Sequence, residues 1–482
     1  MIEYRLFAQR IGLVGVTNLL SSISGILLVP ILTKNVPAGD YGIWAQINVT
    51  IGLLSTVVLL GLTASMIRFL ASEKSEERIK EDFYSIFVLI IFTSLISSLA
   101  VFLFSEPIAR ILFNGNLAVT RLLPLLFFIE PLNGILFNFF RTFQQIKKHS
   151  LFIVTNTYLS IIFVAYFVLS GHGIYGAVVG LVITRYLLFL AMLAIVILEI
   201  GIRVPIFLNI REFLRFGLPA VPQGLASWTV NSSDRYFISF FLGTAFVGFY
   251  SPGYLLGNMI NVFAAPLAFL LPALLSRYYD SNNLEKVGFI LGYSLKYFLA
   301  VAIPSAVGLS LLSKPMLAVL STPQIASQGY LITPFTAISS LLLGVLVIIS
   351  NIILLEKKTP ITSAIWIIAA LLNVALNSIL VPHVGITGAA SAALATFLFI
   401  FILTTYYSFK YFPFPIDKGF VLKSIFASGV MSLIIARWTP VGLFQIIILV
   451  VICAIAYFIV LVLLGGFKRE EIAFFSEILK KY

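Results

Sequence analysis

A guanidinium at Arg185 stands near the middle of residues 175–199, a run otherwise apolar enough to cross a bilayer. Burying such a charge in hydrocarbon costs about 2.5–3.5 kcal/mol on insertion scales. It therefore faces either a water-filled cavity or a counter-charge. Glu130, directly before Pro131 in the run 119–140, is the candidate counter-charge. A third run, 216–241, is the least lipid-like. There Gln223, Ser227, Asn231 and Asp234 recur at steps of four, four and three, which places them on one helical face. Such a stripe lines a cavity or a helix interface. Asp234 and Arg235 are consecutive, so on a helix they point about 100° apart and each needs its own partner. Lys296 lies within snorkelling reach of the end of run 288–312. The chemistry available is anion recognition, because guanidinium forks take phosphate oxygens two at a time. Arg185 and Arg235, with Asn231, Gln223 and Ser227, are the candidate binding residues. Glu130, Asp234 and Lys296 are candidates for charge pairing or ion coupling.

The elements that must position these groups are apolar helices. Of 482 residues, 60% are hydrophobic and 10% charged, against roughly 25% charged in soluble domains. Fourteen apolar runs of about 20 residues, each able to span the hydrocarbon core, follow one another from residue 10 to residue 465. The ~10-residue alternation of a membrane β-barrel is missing. The expected fold is all-α and polytopic, with about 14 transmembrane helices. A net charge of +12 could suggest nucleic acid, but its placement argues for a membrane instead. Only Lys34, Arg110, Arg121, Lys314 and Arg437 fall on one side of the bilayer, and Arg185, Arg235 and Lys296 fall inside spans. The other basic residues, from Arg5 and Arg10 to Lys480 and Lys481, share the opposite side. By the positive-inside rule that side is cytoplasmic, with both termini on it, in a multi-pass protein of the cell membrane. The first run reads as a retained helix rather than a cleaved signal.

An internal repeat organises the spans. Gly173-Ile174-Tyr175-Gly176-Ala177 matches Gly385-Ile386-Thr387-Gly388-Ala389 at an offset of 212. Lys147-Lys148 matches Lys357-Lys358 at 210, and Asp40-Tyr41-Gly42-Ile43-Trp44 matches Phe246-Val247-Gly248-Phe249-Tyr250 at 206. The repeat predicts two six-helix lobes in parallel orientation, 1–205 and 206–412, with two further helices and a cytoplasmic tail in 413–482. Prolines inside spans, among them Pro30, Pro131, Pro266 and Pro304, permit kinks. The single cysteine, Cys453, excludes an intramolecular disulfide, and His149, His172 and His383 have no metal-ligand spacing. No catalytic or nucleotide-binding motif occurs. No cofactor or metal is expected, and energy would come from a gradient or the membrane potential.

The chain resembles the Wzx-type polysaccharide-transporter branch of the multidrug/oligosaccharidyl-lipid/polysaccharide (MOP) exporter superfamily. The likeness rests on Gly39-Asp40-Tyr41-Gly42 after the opening Ile11–Thr33 helix and on Phe216-Gly217-Leu218-Pro219. Asn231-Ser232-Ser233-Asp234-Arg235-Tyr236, Val247-Gly248-Phe249-Tyr250-Ser251 and the two Gly-Ile-x-Gly-Ala turns complete it. The resemblance implies an alternating-access flippase that carries a polyprenyl-diphosphate-linked oligosaccharide to the outer leaflet. It further implies a cationic cavity for the diphosphate-sugar headgroup, while the lipid tail stays among membrane lipids. A proton or sodium ion could be coupled to transport. Trp44, Trp228 and Tyr250 could stack on sugars, or belong to the interfacial aromatic belt. Two other functions fit less well. A drug or organic-cation antiporter would favour a cavity rich in carboxylates, and a polymerase or glycosyltransferase would need a long outer loop.

Overall fold

The computed structural model describes residues 2–467 together with Glu471. Arg5, Arg10 and Asn18 have side chains outside that description, and Lys468, Arg469, Lys480 and Lys481 lie outside it altogether. The described residues form helices and connecting turns, with no strand among them. Twelve stretches are long and apolar enough to cross a membrane. One of these, Ile146–Ile200, has 55 residues and is two helices, Ile146–Phe167 and Gly173–Ile200, that pack on each other. The chain reverses between them through Gly171 (φ 85°) and Gly173 (φ 57°), a left-handed geometry that costs glycine nothing.

Some expected runs are not continuous helices: 41–66 breaks into Ala38–Val58 and Leu62–Leu70, 247–275 into Thr244–Asn258 and Asn261–Asp280, and 216–241 breaks most. This last run falls into Ile210–Gly217, a turn of tighter helix at Leu218–Ala220, Val221–Ser232 and Asp234–Leu242. Pro219 and Pro222 explain the first break, since neither offers an N–H to an α-helical ladder. Counting the double stretch as two and run 216–241 as one brings the twelve to the fourteen expected. Two stretches outside the expected apolar runs are also helical. The charged stretch before Asp82 forms the first turns of Glu76–Leu103, with the Ser75 side chain accepting from the Arg78 N–H at 3.4 Å. Leu284–Leu320 runs for 37 residues, through Pro304 and Pro315, beyond the expected end at residue 312.

Two compact units partition the chain, Met1–Ser251 with Trp366–Thr396, and Pro252–Ile365 with Phe397–Tyr482. The first is built around Leu123–Thr142, which packs on Glu76–Leu103 and on Gly173–Ile200. Its interior is strongly aromatic: Phe83, Phe139, Phe140 and Phe152 are buried, and the Phe83 and Phe139 rings meet edge to face at 5.1 Å. In the second unit Leu284–Leu320 packs against Ile332–Leu355 and Lys418–Arg437. Large apolar side chains remain outside, for example Leu198 at 84% exposure and Val441 at 80%. That is the surface a bilayer covers.

The first unit also contains a close helix crossing. The start of Ala38–Val58 lies so near residues 244–248 that a Cβ on Gly42 would strike the Thr244 carbonyl, and one on Gly248 would strike the Ala38 carbonyl. These are the two glycines that the 206-residue offset pairs.

Candidate functional site

Three helices of the first unit bring Arg185 into a polar cluster. Leu123–Thr142 supplies Glu130 and Asn133, Ile146–Phe167 supplies Asn156, and Gly173–Ile200 carries Arg185 itself. Arg185 Nε lies 3.1 Å from Glu130 Oε2, with side chains 16% and 22% exposed. Both atoms are buried and lack hydrogen-bond alignment, so the contact is an ion pair only. The other arm of the guanidinium, Nη1, donates to Asn156 Oδ1. Asn133 Nδ2 donates to the Arg185 carbonyl at 3.1 Å, which braces the backbone beneath the charge. Pro131 follows Glu130 without interrupting the helix. The pair is not fully sealed, since part of each side chain stays exposed although the two facing atoms are buried.

A second centre forms where Val221–Ser232 gives way to Asp234–Leu242. Asp234 and Arg235 are buried, 3% and 7% exposed. Contrary to the divergence expected of helical neighbours, Arg235 Nη1 bonds Asp234 Oδ1 at 2.8 Å. The reason is local. The helix breaks at Ser233, Asp234 starts the next one, and its Oδ1 also accepts the Arg235 N–H at 2.9 Å. The long arginine side chain folds back over this corner, where Nη1 also reaches the Asn231 carbonyl at 3.2 Å. The Tyr250 hydroxyl donates to Asp234 Oδ2, and the Tyr250 ring lies 5.6 Å from the guanidinium carbon. Tyr250 is fully buried and Trp44 belongs to the core, so neither is placed to stack on a sugar. The Trp228 indole donates to the Val49 carbonyl at 3.1 Å.

The stripe along Val221–Ser232 is half-buried at Gln223, Ser227 and Asn231, and sealed at Asp234. Asn231 Nδ2 is turned onto its own helix, at 2.8 Å from the Ser227 carbonyl. Beside it a buried network that the sequence did not single out runs through Ser233, Asn373, Asn377 and Thr396. Ser233 Oγ donates to Asn373 Oδ1 at 3.0 Å, and Asn373 Nδ2 donates to Thr396 Oγ1 at 3.2 Å.

Lys296 belongs to the second unit and is not at the edge of its helix. It is 7% exposed and held by Glu471, with Nζ to Oε2 at 2.8 Å and Oε1 at 3.0 Å. The Phe420 and Phe467 rings stand 5.1 and 5.7 Å away. Snorkelling therefore does not describe it. The same unit holds a half-open apolar pocket of about 400 Å³, bordered by Phe263, Pro304, Leu309, Met431, Cys453 and Tyr457. Among the described residues no cluster of His, Cys, Asp or Glu could hold a metal ion.

Long apolar helices with buried ion pairs between them define a multi-pass membrane protein. Comparison with known proteins narrows the class. The chain belongs to the polysaccharide biosynthesis protein family, whose model matches residues 7–278. It is 21% identical over 207 residues to the probable low-salt glycan biosynthesis flippase Agl15 of Haloferax volcanii. That match takes in 43% of this chain and 44% of the relative, so it spans under half of that protein's length. Among solved structures, the lipid II flippase MurJ in an inward closed conformation superposes with a TM-score of 0.73. It is 20% identical, over 92% of this chain and 97% of that one. An inward-facing multidrug resistance MATE family transporter of the MOP superfamily gives 0.64 at 15% identity, over 82% and 93%. The fold is thus the MOP transporter fold.

Proposed function

We propose that the protein is an alternating-access flippase that moves a polyprenyl-diphosphate-linked oligosaccharide from the cytoplasmic to the outer leaflet, feeding surface polysaccharide or glycoconjugate assembly. The observation that carries this reading is Arg185, a partly exposed guanidinium inside apolar helices that, among the described residues, hydrogen-bonds through one arm, to Asn156. A diphosphate can displace the poorly aligned Glu130 contact and take that side of the fork. Family membership and the fold shared with MurJ agree with that reading. The apolar pocket of the second unit suits a hydrocarbon chain.

Gln223, Ser227 and Asn231 would then line the path of the sugar. Arg235, tied into its corner by Asp234, would set the field of the site without releasing its partner. Asp234 and Glu130 are the carboxylates through which a proton or sodium ion would couple. We further propose two six-helix lobes, 1–205 and 206–412, with the last two helices appended. The tight crossing of Gly42 and Gly248 would be one closure between them. Cytoplasmic termini, the cell membrane as location and transport without covalent catalysis complete the proposal.

A drug or cation antiporter shares this fold, but Glu130 and Asp234 each already face an arginine. That leaves the membrane carboxylates poorly suited to an organic cation. Purified protein in vesicles carrying a fluorescent polyprenyl-diphosphate oligosaccharide should make the lipid reachable by an impermeant quencher from both sides. Loss of this activity in Arg185→Ala supports the reading. Unaltered flipping in that variant takes Arg185 out of the binding site, and ion-driven uptake of an organic cation without glycolipid flipping overturns the reading.

A further inference from the structure

Between the helix that ends at Ile200 and the one that begins at Ile210 the chain is non-helical, with positive φ at Gly201 (71°) and Phe207 (58°) and a turn at Leu208 and Asn209. Between the two bends exposure alternates: Ile202 is 76% exposed, Val204 84% and Ile206 64%, with Arg203 and Pro205 less so. Past the second bend Phe207 and Leu208 also face outward, 40% and 67% exposed. The backbone is fastened from behind by two adjacent buried acids, Glu81 and Asp82, 2% and 6% exposed. Glu81 Oε1 accepts the Ile206 N–H at 2.8 Å, and its Oε2 lies 3.3 Å from Arg203 Nε. Asp82 Oδ1 accepts from Asn209 Nδ2 at 2.9 Å, and the Tyr84 hydroxyl donates to the Gly201 carbonyl at 2.6 Å.

Two requirements conflict in this segment. Four aliphatic side chains in a row are unfavourable in water. A non-helical backbone, however, cannot sit against hydrocarbon, because its peptide groups would go unpaired. Only the boundary between headgroups and acyl chains meets both, with apolar side chains in lipid and peptide groups in reach of water. The short helix that follows, Ile210–Gly217, exposes Arg211 and Arg215 beside Phe216 and Leu218, and those two arginines suit lipid phosphates. Four exposed acids flank the segment and limit how strongly it is drawn to anionic lipid: Glu199, paired with Lys148, and Glu212 on either side of it in sequence, and Glu76 and Glu77 on the helix behind it.

We propose that residues 201–209 form a membrane-surface strap. Ile202, Val204, Ile206 and Leu208 enter the acyl boundary, Arg211 and Arg215 rest on lipid phosphates, and Glu81 and Asp82 peg the strap to the first unit. This holds whether or not the protein is a flippase. The test uses full-length protein with Cys453→Ala, reconstituted sparsely in vesicles of mixed zwitterionic and anionic phospholipid. An environment-sensitive fluorophore is attached at Val204→Cys, and in a second protein at Leu208→Cys, so that one poorly folded variant does not decide the matter. A label at Glu77→Cys serves as the aqueous reference. The strap predicts quenching by lipids brominated high on the acyl chain that is several-fold stronger than at position 77, with weak quenching by iodide. Adding Glu81→Gln should raise iodide access at position 204 several-fold; no rise removes the peg. Iodide quenching at 204 and 208 equal to that at 77 overturns the proposal. So does shielding from both quenchers with cross-linking between copies, which would make the row a contact between two chains.

Discussion

Arg185 and Glu130 stand 3.1 Å apart although they are 55 positions apart in the chain, and their contact is an ion pair without hydrogen-bond alignment. Under the proposed binding role, a diphosphate takes the place of this contact while Asn156 holds the other arm. Arg185→Ala should accumulate near normally and lose glycolipid flipping, and Arg185→Lys should recover part of it, because charge survives without the fork. Export in cells and flipping in vesicles measure this. Should Arg185→Ala fail to accumulate and Glu130→Gln restore it, the pair is structural.

The Asp234–Arg235 corner behaves differently, since both side chains are sealed. Asp234→Asn leaves a buried guanidinium without its counter-charge, a change that costs about 3–5 kcal/mol in comparable buried pairs. The thermal midpoint in detergent should fall sharply. Arg235→Gln added to Asp234→Asn should restore part of it. Equal stability of single and double variants would show that the two side chains are not coupled.

At the Gly42–Gly248 crossing the test is steric. Gly42→Ala must push against the Thr244 carbonyl, and overpacking of this kind costs about 1–3 kcal/mol or more. Gly39→Ala would meet only Thr244 Oγ1 at 3.7 Å and should match the parent in yield and melting temperature. Indistinguishable variants would mean that the helices separate readily here.

Orientation can be read by labelling. Lys358 and His172 are both exposed, and fourteen spans put them on opposite sides of the bilayer. A cysteine at Lys358 should react only from the cytoplasm and one at His172 only from outside. Reaction from a single side at both positions would break the topology.

Much of this architecture was legible because hydrocarbon is an exacting solvent. An arginine inside an apolar run, or a glutamate before a mid-span proline, stands out against leucine and phenylalanine. The turns were legible too. Gly173 and Gly385 both take positive φ, and Gly176 and Gly388 both lack room for a Cβ, which gives the repeated Gly-Ile-x-Gly-Ala motif a steric basis. What the sequence hid lies at contacts far apart in the chain. Asn156 and Asn133 look like ordinary interhelical amides until Arg185 is seen against them. Arg235 was misjudged because a continuous helix was assumed across Ser233. Glu471 sits in a charged tail where nothing distinguishes it from its neighbours.

The Lys296–Glu471 pair bears on how the protein is made. The two residues are 175 positions apart, so the ribosome delivers the lysine to the membrane long before its principal counter-charge exists. Asp417, 3.8 Å from the ammonium, arrives earlier, but it is half-exposed and a weaker partner. Until Glu471 has been made and has reached it, the lysine helix must wait at the interface or inside the insertion machinery. Assembly of the second unit therefore depends on chain made after the helix Gly442–Leu463. A ribosome that stops early would leave an ammonium with no place in the bilayer, a mark by which quality control can recognise the unfinished protein.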